Sequence, residues 1–153
     1  GRLAALVRPR LAARGVVVGE TPSLAAIIEL HKERVSNLNE LADVAEVFYI
    51  DLQPRSELLA RHLTPEALPL LDDFAARLAE VPWQAAAIAA LIKECVARHG
   101  VKMPKLAMPV RVLLTGLEQT PSVDALMALF PRTTALERLA RARCVASSAP
   151  RSV

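Results

Sequence analysis

Apolar positions along this chain recur every three or four residues, in runs cut short by proline, glycine and small polar residues. Leu3, Leu6, Val7 and Leu11 share one face of a helix that Gly15 stops. Val16-Val17-Val18 is a short extended run, too isolated to nucleate a sheet. Thr21-Pro22 reads as a helix cap followed by proline at the first helical position, with Leu24, Ile27, Ile28, His31 and Val35 as the apolar stripe behind it. Asn37 with Glu40 three residues on has the form of a capping box, so the chain bends near Ser36-Asn37. The next helix turns Leu38, Leu41, Ala42, Ala45 and Phe48 inward, and residues 51–57 read as a polar loop around Pro54. Thr64-Pro65 opens a further turn. Pro69 starts the helix that follows, because a proline deeper inside would cost about 3 kcal/mol. Leu70, Leu71, Phe74, Leu78 and Val81 line its buried side, and Pro82-Trp83 ends it.

The second half continues in the same way. A helix from about Gln84 to His99 carries Ile88, Leu91, Ile92, Cys95 and Val96 inward and stops at Gly100. Residues 101–108 read as a basic connector, and Pro109 starts a short helix over 110–114 that Gly116 terminates. Thr120-Pro121 repeats the cap-plus-proline signal ahead of Leu126, Leu129 and Phe130. Pro131 breaks the chain, and Thr134 with Glu137 forms a last capping box before Leu136, Leu139 and Ala140. No strict alternation and no Asn-Gly or Asp-Gly turn is present. The pattern predicts an all-α fold, an irregular helical bundle or cage of about seven or eight short helices with short connections. Two small subdomains over 1–63 and 64–143 would share a core, and 144–153 would be a frayed, flexible tail.

Composition narrows what such a cage could do. Apolar residues are 53% of the 153, ample for a core, but aromatics are only 3%. That argues against a stacking platform rich in Phe and Tyr for single-stranded nucleic acid. Any RNA recognition must rest on arginine, lysine, backbone groups and helix ends. No apolar run approaches the roughly 20 residues of a membrane span. The N-terminal arginines lack the compact apolar segment of a signal peptide. Cys95 and Cys144 lie far apart without metal spacing, so a reduced, cytoplasmic protein is expected. The net charge is +3, unevenly spread: residues 1–19 hold four arginines and no acid, 20–80 lean acidic, and basic residues dominate from Lys93 onward. Such asymmetry fits one phosphate-facing surface as well as it fits a solvated mixed one.

The residues offer no case for catalysis or for a metal. His31, His62 and His99 are scattered, and His31 on an apolar stripe reads as a satisfied core histidine. No glycine-rich phosphate loop exists, and the carboxylates read as solvated faces. Cys95 reads as packing.

Three stretches resemble the C-terminal region of bacterial glutamyl-tRNA synthetases. Leu30-His31-Lys32-Glu33-Arg34-Val35, then Leu38-Asn39-Glu40-Leu41-Ala42-Asp43 with Phe48-Tyr49 beyond, looks like the family's passage from a basic helix end into a "TLxELA" helix. Met108-Pro109-Val110-Arg111-Val112-Leu113-Leu114-Thr115-Gly116 is similar to "QPLRxALTG" and is the most specific of the three. Thr120-Pro121-Ser122-Val123 lies near "xPGLF", and residues 135–142 near "xLRRLERA"; Trp83 ahead of a helix also fits. Together they run in the family's order from Leu30 to Ala142.

The resemblance implies an all-helical anticodon-binding region and a C-terminal piece of a longer protein: the family's nucleotide-binding domain with its HIGH-like and KMSKS-like motifs is not here, and Met103-Pro104-Lys105 is no substitute for the latter. ATP and magnesium are expected only with that catalytic domain, so this chain needs no cofactor and would not activate glutamate itself. Its implied partners are the tRNA(Glu) anticodon stem-loop and the catalytic domain of the same enzyme, with the protein a monomer and no membrane involved. By the same resemblance Arg34 faces the third anticodon base, Arg111 contacts the anticodon loop, and Thr120, Pro121 and Val123 touch the anticodon bases. Ser122 and Val123 depart from the glycine and the larger apolar residue of the family pattern. Arg10, Arg98, Lys102 and Lys105 are expected as phosphate contacts, which position rather than specify. The competing expectation is a helical protein–protein interaction domain that never touches RNA.

Overall fold

A computed structural model describes residues 2–18, 23–50, 55–118 and 120–148, with side chains through Ala142. Among the described residues it contains nine α-helices and no strand: α1 (Arg2–Ala13), α2 (Leu24–His31), α3 (Leu38–Glu46), α4 (Ser56–His62), α5 (Ala67–Leu78), α6 (Ala85–His99), α7 (Pro104–Thr115), α8 (Val123–Leu129) and α9 (Arg132–Ser148). The all-α reading holds, with α4 the helix that the pattern of apolar positions does not predict. Its first residue falls inside the stretch read as a polar loop, whose residues 51–54 lie outside the described part.

Local signals explain most boundaries. Asn37 Oδ1 accepts from the Glu40 amide at 2.9 Å, and the Glu40 carboxylate accepts in return from the Ser36 amide at 2.8 Å. Gly100 and Gly116 end α6 and α7 in the left-handed region, at φ of 64° and 72°, where a Cβ would be strained. Thr21-Pro22 lies outside the described residues. The cap of α2 is Ser23, whose hydroxyl accepts from the Ala26 amide at 3.3 Å.

Four expectations drawn from proline and threonine are corrected. Pro69 sits in the first turn of α5 and does not open it, because the first amides of a helix have no intrahelical acceptor to lose. Pro104 opens α7, and Pro109 lies inside that helix, so residues 104–108 are helical where a connector was expected. The lost hydrogen bond is offset by burial: Leu106, Val110, Val112, Leu113 and Leu114 are fully buried, and each such side chain contributes about 1.5–3 kcal/mol. Thr120 caps nothing; α8 starts at Val123 after Ser122. Helix α9 starts at Arg132 instead of near Thr134, with the Ala135 amide bonded to the Pro131 carbonyl at 3.0 Å. Its backbone stays helical to Ser148, through the first half of the expected tail, since residues 141–148 contain neither glycine nor proline. Residues 149–153 lie outside the described part.

One contiguous core runs through the helices on both sides of residue 63, from Val7 and Leu11 to Leu139. Helix α7 is buried almost all round, packing against α4, α5, α6, α8 and α9. Two arginines fasten α9 to this centre. Arg132 donates to the Ala79 and Val81 carbonyls at 2.8 and 2.6 Å, just beyond α5, and lies over the Trp83 ring. Arg138 is 5% exposed and donates to Leu114 O at 2.6 Å and Ile50 O at 2.9 Å, over the Phe130 ring. Phe130 in turn stacks on Phe48, so the segment after α3 and the end of α7 are joined through α9.

Candidate nucleic-acid interface

Two adjoining hollows lie on either side of the turn at residues 120–123. The first has a volume of about 160 Å³ and is lined by His31 at the end of α2 and Arg34 and Val35 beyond it, Val44 of α3 and Val47 just after it, Thr115 at the end of α7, and Leu117, Thr120 and Pro121 beyond. That is below the roughly 300–1,000 Å³ of drug-sized pockets, a size suited to a single ring. The second, about 340 Å³, is lined by Ala89, Ile92 and Lys93 of α6, Met103, Ala107 and Arg111, and Ser122, Val123 and Asp124. Consecutive residues of one turn therefore face both hollows.

Arg111 connects them. It is half-buried on α7, and its Nε donates to Thr120 Oγ1 at 3.0 Å while Nη1 approaches Met108 Sδ at 3.4 Å. The Thr120 hydroxyl spends its own hydrogen on Pro121 O at 2.7 Å, so its acceptor side is aimed at Arg111. This is what Thr120 does in place of capping a helix. Arg111 Nη2 has no hydrogen-bond partner among the described residues. Thr115 Oγ1, buried one turn on, donates to Arg111 O at 2.8 Å and accepts from the Leu117 amide at 3.1 Å.

Arg34 stands three residues past the end of α2, held through its backbone amide to His31 O at 2.9 Å. Its side chain is exposed and, among the described residues, bonded to no carboxylate. The residues lining the first hollow carry one guanidinium and no acid; those of the second carry Lys93 and Arg111 against Asp124. Both hollows are thus net positive, with apolar floors. Leu117 and Met103, two of the few large apolar side chains left exposed, line one hollow each.

Of the residues predicted from the sequence, Arg34, Thr120 and Pro121 meet in the first hollow and Arg111 and Val123 in the second. Lys102 and Lys105 are exposed on either side of Met103 in the chain but line neither hollow. Arg10 and Arg98 line neither. Arg10 is exposed in the last turn of α1, and Arg98 faces Glu94 at 2.9 Å and Asp73 at 3.7 Å, so its charge is already opposed. Sequence reasoning missed Lys93. It stands one helical turn beyond Ala89, but nothing in that spacing separates it from an ordinary solvated lysine.

The core reading of His31 fits its surroundings. It is 4% exposed, its Nδ1 donates to Ile27 O at 2.7 Å, and its ring meets Phe48 edge-on. Burial pushes the imidazole below its ordinary range; the bond to Ile27 opposes this, and nearby Arg34 adds to the lowering. A depressed folded pKa stabilises the fold above the unfolded value of about 6.5 and is lost as pH falls below it, because the unfolded chain takes up a proton that the folded one refuses. The unfolding free energy is therefore expected to drop between pH 7 and pH 5.5, and to drop less in His31→Asn. An imidazole midpoint by NMR at or above about 6.5 contradicts this. Burial also raises the Cys95 thiol to about 11, which leaves it unreactive.

Among the described residues, no group of His, Cys, Asp and Glu could hold a metal ion, and no helix is long and apolar enough to cross a membrane. The model of one protein family, the anticodon binding domain, matches residues 2–143. The glutamate–tRNA ligase of Dechloromonas aromatica is 54% identical over 138 residues, which cover 90% of this chain and 30% of that protein. The enzyme of the same name from Thiobacillus denitrificans is 51% identical, covering 90% and 29%. The chain thus spans under a third of the length of these curated relatives. In fold it is similar to a glutamate tRNA ligase from Elizabethkingia meningosepticum, with a TM-score of 0.80 over 92% of this chain and 28% of that one, at 22% identity.

Proposed function

This chain belongs to the anticodon-binding domain family, and from that membership we propose that it grips the anticodon arm of tRNA(Glu) on the wall formed by the two hollows. The observation that carries the reading is the turn at residues 120–123, which brings Arg34 to one side and Arg111 to the other. Cations draw in the stem-loop, Lys102 and Lys105 take phosphates, and bases splayed from the loop enter the hollows. With few aromatics, Leu117, Met103 and Pro121 supply the apolar faces against which bases pack. Thr120, fixed by Arg111, keeps that surface in place before RNA arrives, which lowers the ordering cost of binding.

In this reading the domain is a cytoplasmic monomer that adds recognition energy to a reaction carried out elsewhere. A catalytic domain of the same enzyme holds ATP and magnesium and attaches glutamate, and this chain alone has no cofactor and activates no amino acid. The family match does not favour the competing role in protein–protein contacts.

The test is a titration of the tRNA(Glu) anticodon stem-loop at several salt concentrations. If three or four cations meet phosphates, log K against log salt should fall with a slope of about −2 to −3 through counterion release. No binding at the lowest salt, or a flat slope, refutes the proposal.

A further inference from the structure

The loop that carries Leu117, Thr120 and Pro121 is fastened on two sides. On the α7 side are the bonds of Thr115 to the Leu117 amide and of Arg111 to Thr120. On the opposite side the fastening is Glu118. Its neighbours Leu117 and Thr120 line the first hollow and Glu118 does not. Instead it reaches the end of α4, more than 50 residues away in sequence. There His62 Nε2 lies 2.6 Å from its Oε2, and Arg61 Nη1 donates to Oε1 and Oε2 at 2.9 and 3.1 Å.

We propose that Arg61 and His62 are positioning residues for base reading: through Glu118 they hold Leu117 and the Thr120-Pro121 turn in the pose that shapes the first hollow. This rests on the reading above that the hollow takes an anticodon base. Two features set the clasp apart from an ordinary surface pair, which holds little. His62 is only 14% exposed at its side chain, so the short bond is partly shielded from water. And two consecutive side chains converge on one carboxylate, where basic residues merely favouring the dipole of a helix end need no partner across the fold. The same pairing opposes a negative charge one residue from the hollow that would otherwise repel phosphate. Side-chain hydrogen bonds, from His62 first and then from Arg61, hold the Glu118 carboxyl below the usual carboxylate range. The two fastenings divide the work: Arg111 orients the Thr120 hydroxyl, and Glu118 fixes where the turn sits relative to α4 and so how far Leu117 stands from Arg34.

The experiment compares the parent chain with Glu118→Ala, with Arg61→Gln/His62→Gln, and with the conservative Arg61→Lys. Far-UV circular dichroism checks that each keeps its helices. Amide hydrogen exchange at Leu117 and Thr120 reads the loop without RNA. Affinities for two stem-loops, differing only in cytosine or guanine at the third anticodon position, read discrimination. Glu118→Ala and the double variant should keep parental helicity, exchange about tenfold faster at Leu117 and Thr120, and discriminate about tenfold less. Arg61→Lys, which keeps a charged donor beside Glu118, should hold both readouts near the parent, which a purely structural weakening elsewhere would not do. Unchanged exchange in Glu118→Ala overturns the clasp. Faster exchange with undiminished discrimination overturns its role in reading. A parent that binds neither stem-loop overturns the anticodon reading itself and the positioning role with it, an outcome seen before any variant is made.

Discussion

Arg138→Met is expected to lower the unfolding free energy by about 3–5 kcal/mol, measured by urea denaturation. The guanidinium is almost wholly buried and satisfies two carbonyls from different parts of the chain, Leu114 O and Ile50 O. Methionine fills a similar volume but donates nothing. Each carbonyl left without a donor in a buried place costs about 1–3 kcal/mol, and loss of the cation from the Phe130 face adds about 1–2 kcal/mol. Arg138→Lys should recover less than half of the loss. A single ammonium cannot lie flat on the ring and span both oxygens as the planar fork does. A loss below about 1 kcal/mol for Arg138→Met, at an unchanged denaturant slope, contradicts this account. The effect would reach the candidate site indirectly: Leu114 precedes Thr115 in the lining of the first hollow, and Ile50 follows α3 and its C-cap, where Val44 and Val47 line the same hollow.

What could be read from the sequence and what could not follow from the range of each signal. Asn37 with Glu40, and the glycines at 100 and 116, act within four residues, and the structure places each where the sequence does. Proline misled because its rules are local while its tolerance is tertiary. Pro109 ought to have broken α7, but that helix is enclosed on nearly every side, and the packing energy outweighs one lost hydrogen bond. Thr120 misled for a related reason. Its hydroxyl has the chemistry of a cap, and Arg111, nine residues back, competes for it and wins. At the candidate site, Arg34, Arg111 and the Thr120-Pro121 turn stood out through family resemblance and not through any property of the residues alone. Lys93 and the Glu118 clasp had no sequence signal, since a solvated lysine and a solvated glutamate look the same until the fold brings α6 and α4 beside the turn.

Arg34→Gln is expected to relax the preference for cytosine over guanine at the third anticodon position by about 1–3 kcal/mol, a factor of roughly 5 to 150. Cytosine presents two acceptors, O2 and N3, on its Watson–Crick edge, and a planar guanidinium can donate to both at once. Guanine presents N–H donors on that edge, which would meet the arginine donors head-on, so one side chain both attracts and rejects. The surroundings of Arg34 favour that use. Its side chain is committed to no partner among the described residues, and Val35, Val44, Val47 and Leu117 around the hollow thin the water that would screen it. Glutamine carries one donor group and one acceptor and can pair with either base, so its loss should appear mainly as improved binding of the guanine stem-loop relative to the cytosine one. Because Arg34 is exposed, the substitution should change stability by no more than about 0.5 kcal/mol, which separates recognition from folding. Equal discrimination by Arg34→Gln and the parent, at equal stability, would place the reading of that base elsewhere on the wall, with Arg111 and the second hollow as the remaining site.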